Sequence, residues 1–301
     1  NFEAADVGLI AKLFEEHEVA AGQLLQAELP YPAYEQAAKC SHLFNLLDAR
    51  RALHATERER FRRSRLYLPG NDPKFMLNAG LHGPDCVILD LEDSVAPPEK
   101  DAARVLVRNA LRATDFHGAE RMVRINQGDR GLADLEFVAA HNVHVVLIPK
   151  VETPEAVQRV DEKIKALLSA DGIDQGVYLM PIVESALGAI RAYEIATATD
   201  TVVALTIGLE DYTADIGVPR TLEGRESFWA RGQVINGARA AGVQPIDSVF
   251  SDVADMAGLR ESVLEAKALG FDGKGCIHPR QIAVVHEAFA PTKEELDKAT
   301  R

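Results

Sequence analysis

An α/β fold, a parallel (β/α)8 barrel (TIM barrel) preceded by a short all-helical N-terminal extension, is the fold class this sequence predicts, and three observations predict it. Eight short apolar or β-branched runs recur between residues 65 and 278, each followed by a helical stretch. Eight such units within about 230 residues match the count and size of a closed parallel barrel. The first run ends in Pro69, Gly70, Asn71 and Asp72 rather than a Gly-x-Gly-x-x-Gly turn, which argues against a doubly wound open sheet.

Residues 1–62 read as helical. Val7, Ile10, Ala11 and Phe14 fall at helical spacing, Pro30 and Pro32 interrupt the pattern, and it resumes over 33–47. The alternation begins after this extension, so the division expected is 1–62 and 63–301. Strands are predicted at 65–68, 86–91, 122–126, 144–149, 178–183, 202–207, 245–250 and 275–278. Amphipathic stretches between them, at 99–111, 132–140, 154–168, 186–196, 223–241 and 256–269, supply the covering helices.

Composition narrows the function. With 301 residues, 47% hydrophobic and 26% charged, the chain can bury one barrel-sized core plus a small appendage. Apolar runs are strand-length and no signal-peptide pattern opens the sequence, so no membrane role is expected. Three scattered cysteines, Cys40, Cys86 and Cys276, give no disulfide framework and fit a reducing cytoplasm. A formal charge of −13 argues against a broad nucleic-acid surface; the one basic cluster spans 58–65.

In a parallel barrel, chemistry sits at the C-terminal strand ends. Those ends carry Glu92 and Asp93, Arg124 and Asn126, Lys150, Glu184, Glu210 and Asp211, Ser251 and Asp252, and His278. Carboxylates so gathered repel unless a cation bridges them. Oxygen ligands without a His or Cys cluster suit Mg2+ or Mn2+ rather than Zn2+. Glu184 and Asp211 are the predicted metal ligands, 211 − 184 = 27 residues apart, about one strand-helix repeat. Either acid alone would serve equally as a first-turn helix acid. Arg124 ends an interior strand, and its planar fork matches a carboxylate, either the substrate's or that of Glu92 and Asp93. Glu92 and Asp93 could hold a metal-bound water, orient Arg124 or cap the next helix. Lys150 is placed to neutralise a phosphate or carboxylate, and His278 is as much a packing group as a proton carrier. Asp215, Arg220 and Arg225 read as loop or surface residues.

The runs RSRLYLPG (63–70), LDLEDSV (89–95), VRIN (123–126), IPK (148–150), IVES (182–185), GLED (208–211), FDGK (271–274) and IHP (277–279) together resemble the citrate lyase beta subunit and its relatives, the malyl-CoA and citramalyl-CoA lyases of the HpcH/HpaI aldolase group. The resemblance covers residues 62–301. It implies a barrel lyase, Mg2+ held by Glu184 and Asp211, Arg124 gripping a keto-acid carboxylate, and Glu92 and Asp93 supporting the site. It also implies a CoA or acyl-carrier thioester partner and a homo-oligomer, a trimer or hexamer. The acid–base residue is left unassigned.

Residues 1–62 resemble instead the tail helices of the bacterial glycyl-tRNA synthetase alpha subunit, in the runs PAYEQ (32–36), KCSHLFNLLDAR (39–50) and TERER (56–60). That resemblance omits the synthetase's catalytic sheet and implies no aminoacylation. The alternative to catalysis is a barrel scaffold whose extension docks a partner.

Overall fold

The computed structural model describes residues 7–27, 29, 32–33, 36, 39, 60–174 and 176–292. The chain divides into two compact units, residues 1–57 and 58–301. In the first, helix α1 (Val7–Gln26) covers the first predicted helix, and His17 Nδ1 lies 2.6 Å from Gln36 Oε1. Cys40 and most of the predicted helix at 33–47 lie outside the described residues.

The second unit is a closed barrel of eight strands in chain order, every neighbouring pair parallel. In order the elements are β1 (Ser64–Pro69), α2 (Pro73–Leu77), β2 (Cys86–Asp90), α3 (Lys100–Ala113), β3 (Glu120–Arg124), α4 (Gly128–Val138), β4 (Val145–Ile148), α5 (Pro154–Ala170) and β5 (Tyr178–Val183). The circuit continues through α6 (Ala186–Ile190), α7 (Ala192–Ala196), β6 (Ala204–Ile207), α8 (Leu209–Asp215), α9 (Phe228–Ala241), β7 (Gln244–Asp247), α10 (Met256–Leu269), β8 (Gly273–Cys276) and α11 (Gln281–Phe289). The predicted helix at 186–196 is broken at Arg191, whose backbone (φ −95°, ψ 14°) ends α6 and starts α7. The last strand begins at Gly273 rather than 275, because Gly273 and Lys274 carry no apolar signal.

Alternation along each strand separates two cores. Outward side chains such as Leu66, Leu89, Val123, Val146 and Leu205 pack beneath the helices. Inward ones, Cys86, Ile88, Met122, Leu147, Met180, Ile182 and Ile246 among them, fill the barrel. The predicted core places of Cys86 and Cys276 are both buried. Among the described residues no helix is long and apolar enough to cross a membrane.

Of the basic cluster at 58–65, Arg58 lies outside the described residues, and Arg62 and Arg65 turn inward rather than onto a charged face. Arg62 and Arg65 are each 1% exposed. At the lower end of the barrel Arg62 donates from Nε and Nη2 to the two Glu120 oxygens, both at 2.7 Å, and from Nη1 to Gln244. Arg63 forms a second bidentate pair, with Asp85. Between the sheet and α9, Asp247 takes Lys274 Nζ at 2.6 Å and the Arg231 guanidinium. Buried ion pairs of this kind add little net stability, but breaking one strands a charge in low dielectric.

Burial pushes the Glu120 carboxyl up, yet the Arg62 charge and hydrogen bonds outweigh it and hold the group below the usual glutamate range. A depressed carboxyl contributes stability above its unfolded pKa, and that contribution is lost as pH falls through the folded value. We therefore expect Glu120→Gln to cost about 3–5 kcal/mol in urea unfolding at neutral pH. The deficit should shrink as pH falls below the ordinary glutamate value of about 4.3 and on through the lower folded value; a variant as stable as the parent at neutral pH would refute a structural role for the Arg62–Glu120 pair.

Candidate active site

The register of β2 and β3 sets Asp90 directly beside Arg124 at the last rung of the ladder. Gly70 holds Asp90 at this height: its N–H donates to Asp90 O at 2.8 Å, and a Cβ there would stand 2.4 Å from that oxygen. Arg124 donates from Nε to Asp90 Oδ1 at 2.7 Å and from Nη2 to Oδ2 at 2.6 Å. Its guanidinium lies over the Tyr67 ring, 5.4 Å from the centroid. Burial alone would lower the Arg124 pKa, but the Asp90 bonds raise it above the ordinary value. Burial would likewise raise Asp90, and Arg124 keeps it below the usual aspartate range.

The Asp90 carboxylate also shapes the following turn, accepting from the Glu92 N–H at 3.0 Å and the Ser94 N–H at 3.2 Å. The turn brings Glu92 Oε2 to 3.0 Å and Asp93 Oδ2 to 3.6 Å from Arg124 Nη1. Gln127 Nε2 donates to Glu92 Oε1 at 2.9 Å, and Lys100 Nζ pins the turn through Leu91 O, Glu92 O and Asn126 Oδ1. Burial lifts the Glu92 carboxyl despite Arg124 and Gln127.

Across the mouth, Lys150 follows β4 in the left-handed region at φ 51°. Its N–H donates to Glu184 Oε2 at 2.9 Å, and its Nζ stands 3.2 Å from Asp211 Oδ1. Burial would lower the Lys150 pKa, but the Asp211 pairing raises it. Glu184 follows β5 and is 6% exposed. Burial, with repulsion from Glu92 and Asp211, pushes its carboxyl up to about 8. Asp211 sits in the first turn of α8.

Asp93, Arg124, Glu184 and Asp211 line one cavity of about 240 Å³ together with Arg65, Tyr67 and Asp90. A larger hollow of about 700 Å³, bounded by Phe61, Arg63, Arg239 and Phe271, lies at the N-terminal ends of the strands, away from the acid ring.

All six sequence-derived site residues thus fall in two clusters at the same mouth, Arg124 with Glu92 and Asp93, and Lys150 with Glu184 and Asp211. Asp90 reads from the sequence as inward or at the rim, counting by two from Cys86 and Ile88, but no role follows for it there, and the structure makes it the partner of Arg124. Arg220, read as a loop residue, is tied to the mouth through Glu210 at 2.6 Å and Val249 O at 2.7 Å. His278 accepts the Arg280 N–H at 3.2 Å, a local packing role.

Among the described residues no three His, Cys, Asp or Glu side chains stand close enough to enclose a metal by themselves. The donors at the mouth are carboxylate oxygens. Glu184, a buried acid facing two other acids, is in an environment that a cation relieves. A hard ion with one or two protein carboxylates and the rest of its shell open fits such a donor set.

A parallel barrel with a fixed guanidinium and an acid ring at its C-terminal mouth defines the class of barrel aldolases and lyases. The HpcH/HpaI aldolase/citrate lyase family model matches residues 63–279, and the chain belongs to that family. The citrate lyase subunit beta of Leuconostoc mesenteroides is 38% identical, covering 80% of this chain and 81% of that protein. The human mitochondrial citramalyl-CoA lyase is 37% identical over 78% of this chain and 73% of its own length. The solved structure of Mycobacterium tuberculosis CitE with magnesium, acetoacetate and coenzyme A superposes with a TM-score of 0.68 at 33% identity, covering 80% of this chain and 85% of that one. The glycyl-tRNA synthetase alpha subunit model matches residues 1–66.

Gly208 gives the site a test independent of catalysis. A Cβ there would stand 2.4 Å from Glu184 Oε1 and 2.6 Å from its Cγ. The Gly208 backbone is ordinary, at φ −109° and ψ 106°, so the clash is the only penalty. We expect Gly208→Ala to cost about 1–3 kcal/mol in chemical unfolding. A crystal structure of the variant should show Glu184 turned off the Lys150 N–H; an unmoved carboxylate would contradict the packing.

Proposed function

We propose that the barrel unit is a Mg2+-dependent carbon–carbon lyase acting on a hydroxyacyl thioester, such as citryl-, malyl- or citramalyl-CoA or a citryl-carrier protein, and releasing a keto acid. The observation that carries this reading is that one residue, Lys150, reaches both Glu184 and Asp211, while Arg124 faces the same cavity with its orientation set by Asp90. The family relatives support it, as do solved neighbours such as the citrate lyase beta subunit of M. tuberculosis with oxaloacetate and magnesium, 34% identical with a TM-score of 0.66.

In this reading Glu184 and Asp211 would hold Mg2+, with Mn2+ as a substitute. Bound there, the ion would supply Lewis-acid stabilisation to the oxygen that carries charge as the bond breaks. The remaining work belongs to the chain. Arg124 positions the substrate carboxylate, and Glu92 and Asp93 keep the guanidinium at the height Asp90 sets. The bond between the hydroxyl-bearing carbon and the thioester's α-carbon breaks. The hydroxyl gives up its proton as its carbon becomes the keto carbonyl, the electron pair of the broken bond passes to the thioester as an enolate, and the enolate carbon takes up one proton, so the proton count is unchanged. The same reading makes the partner a CoA or acyl-carrier thioester, the working unit a homo-oligomer and the compartment a reducing cytoplasm, in keeping with the free thiols of Cys86 and Cys276.

Purified chain supplied with Mg2+ and each of the three CoA thioesters should release keto acid from at least one, and chelation should stop it. Glu184→Gln and Asp211→Asn should each lower kcat/KM by about 100-fold or more and weaken Mg2+ binding in calorimetry. No keto acid from any thioester would overturn the reading.

A further inference from the structure

A guanidinium stays protonated in a protein interior, so burying one without an anion is costly. Three arginines among the described residues are buried, Arg62, Arg65 and Arg231. Arg62 has Glu120 and Arg231 has Asp247. Arg65 has no carboxylate among its contacts. Its Nη1 donates to Met180 Sδ at 3.1 Å, and its Nη2 to Thr206 Oγ1 at 3.0 Å and Asp247 O at 3.2 Å. Its Nε is buried without a hydrogen-bond partner. A thioether and two neutral oxygens are weak company for a full charge, and the nearby Asp247 carboxylate is already engaged by Lys274 and Arg231.

Arg65 also stands where a ligand would find it. It is two residues below Tyr67 on β1, and both line the cavity that holds Arg124, Glu184 and Asp211. The cavity therefore has a cationic floor beneath an acid rim. Arg124 does not explain that floor, since its Nε and Nη2 are taken by Asp90.

We propose that Arg65 is a specificity-determining residue that receives a second carboxylate of the keto-acid fragment. The acid this chain handles is then a dicarboxylate of the oxaloacetate type rather than a monocarboxylate such as pyruvate or glyoxylate. The inference rests on the lyase reading above and adds to it the chemical class of the acid. A charged hydrogen bond to a desolvated carboxylate discriminates by roughly ten-fold or more against an acid that lacks the group.

The test uses the full chain with Mg2+ and calorimetric titration of freshly dissolved oxaloacetate and of pyruvate. Native protein should bind oxaloacetate about ten-fold or more tighter than pyruvate. Arg65→Met, which removes the charge but keeps a long side chain, should cut that ratio about ten-fold, and Arg65→Lys should restore part of it. A native protein that binds both acids equally overturns the inference while leaving the lyase reading intact. Parallel losses for both acids in Arg65→Met, with a lowered Tm, mark Arg65 as a strut and also overturn it. Native protein that binds neither acid overturns the lyase reading itself. The native ratio and the lysine variant decide the matter even where the methionine variant fails to fold.

Discussion

The Asp90–Arg124 pair is the constraint on which the mouth of the barrel depends. Parallel register places the two residues on one rung, and a bidentate fork fixes the guanidinium plane as no single hydrogen bond could. The same carboxylate accepts two N–H groups of the next turn, so the loop after β2 is folded around the ion pair. With Asp90 holding two of the three guanidinium nitrogens, only Nη1 is left for Glu92 and Asp93. Glu184 keeps its elevated proton affinity chiefly because it is buried, with repulsion from Glu92 and Asp211 that Arg124 only partly offsets. One pair on neighbouring strands thus fixes the cation that faces this buried acid across the mouth.

Below the mouth the barrel interior is stratified. An ion pair between Arg62 and Glu120 closes the lower end, apolar residues from β2 to β5 fill the middle, and Arg65 crosses that layer toward β6 and β7. The tightness comes from the apolar layers, since close-packed Ile, Leu and Met contacts contribute where buried charges nearly cancel against desolvation. Charged residues inside therefore mark positions rather than add stability. Arg62 and Glu120 satisfy one another, whereas Arg65 remains open to a further anion.

The eight strands were legible because a strand covered on both faces reads as an unbroken apolar run, which the segments at 86–89, 145–149 and 178–183 all show. The eighth was read two residues late, since its inward positions are Gly273 and Gly275 and a glycine has no hydrophobicity to count. Site residues were legible where they follow such runs, as Glu184 and Lys150 do. Asp90 was obscured by company: in LDLED three acids crowd within four residues, and only strand pairing tells which of them faces Arg124. Arg65 was obscured by a different neighbour effect. Set among Arg60, Arg62 and Arg63 it looks like one more surface cation, and only barrel closure shows that its side chain points to the axis.

Lys150 joins the two acids on its side of the mouth. A side chain in the left-handed region costs roughly 1–2 kcal/mol, because Cβ crowds the following carbonyl. Such strain persists only where the surroundings over-determine it. Here they do: that conformation aims the backbone N–H at Glu184 while the side chain reaches Asp211, so one residue contacts both acids from two different atoms. Gly208 makes the room in which the Glu184 carboxylate lies, since a Cβ there would stand 2.4 Å from Oε1. Backbone strain on one flank and the space left by a missing Cβ on the other accommodate a buried acid where its own charge is disfavoured, which is in keeping with the ion-binding role proposed for it.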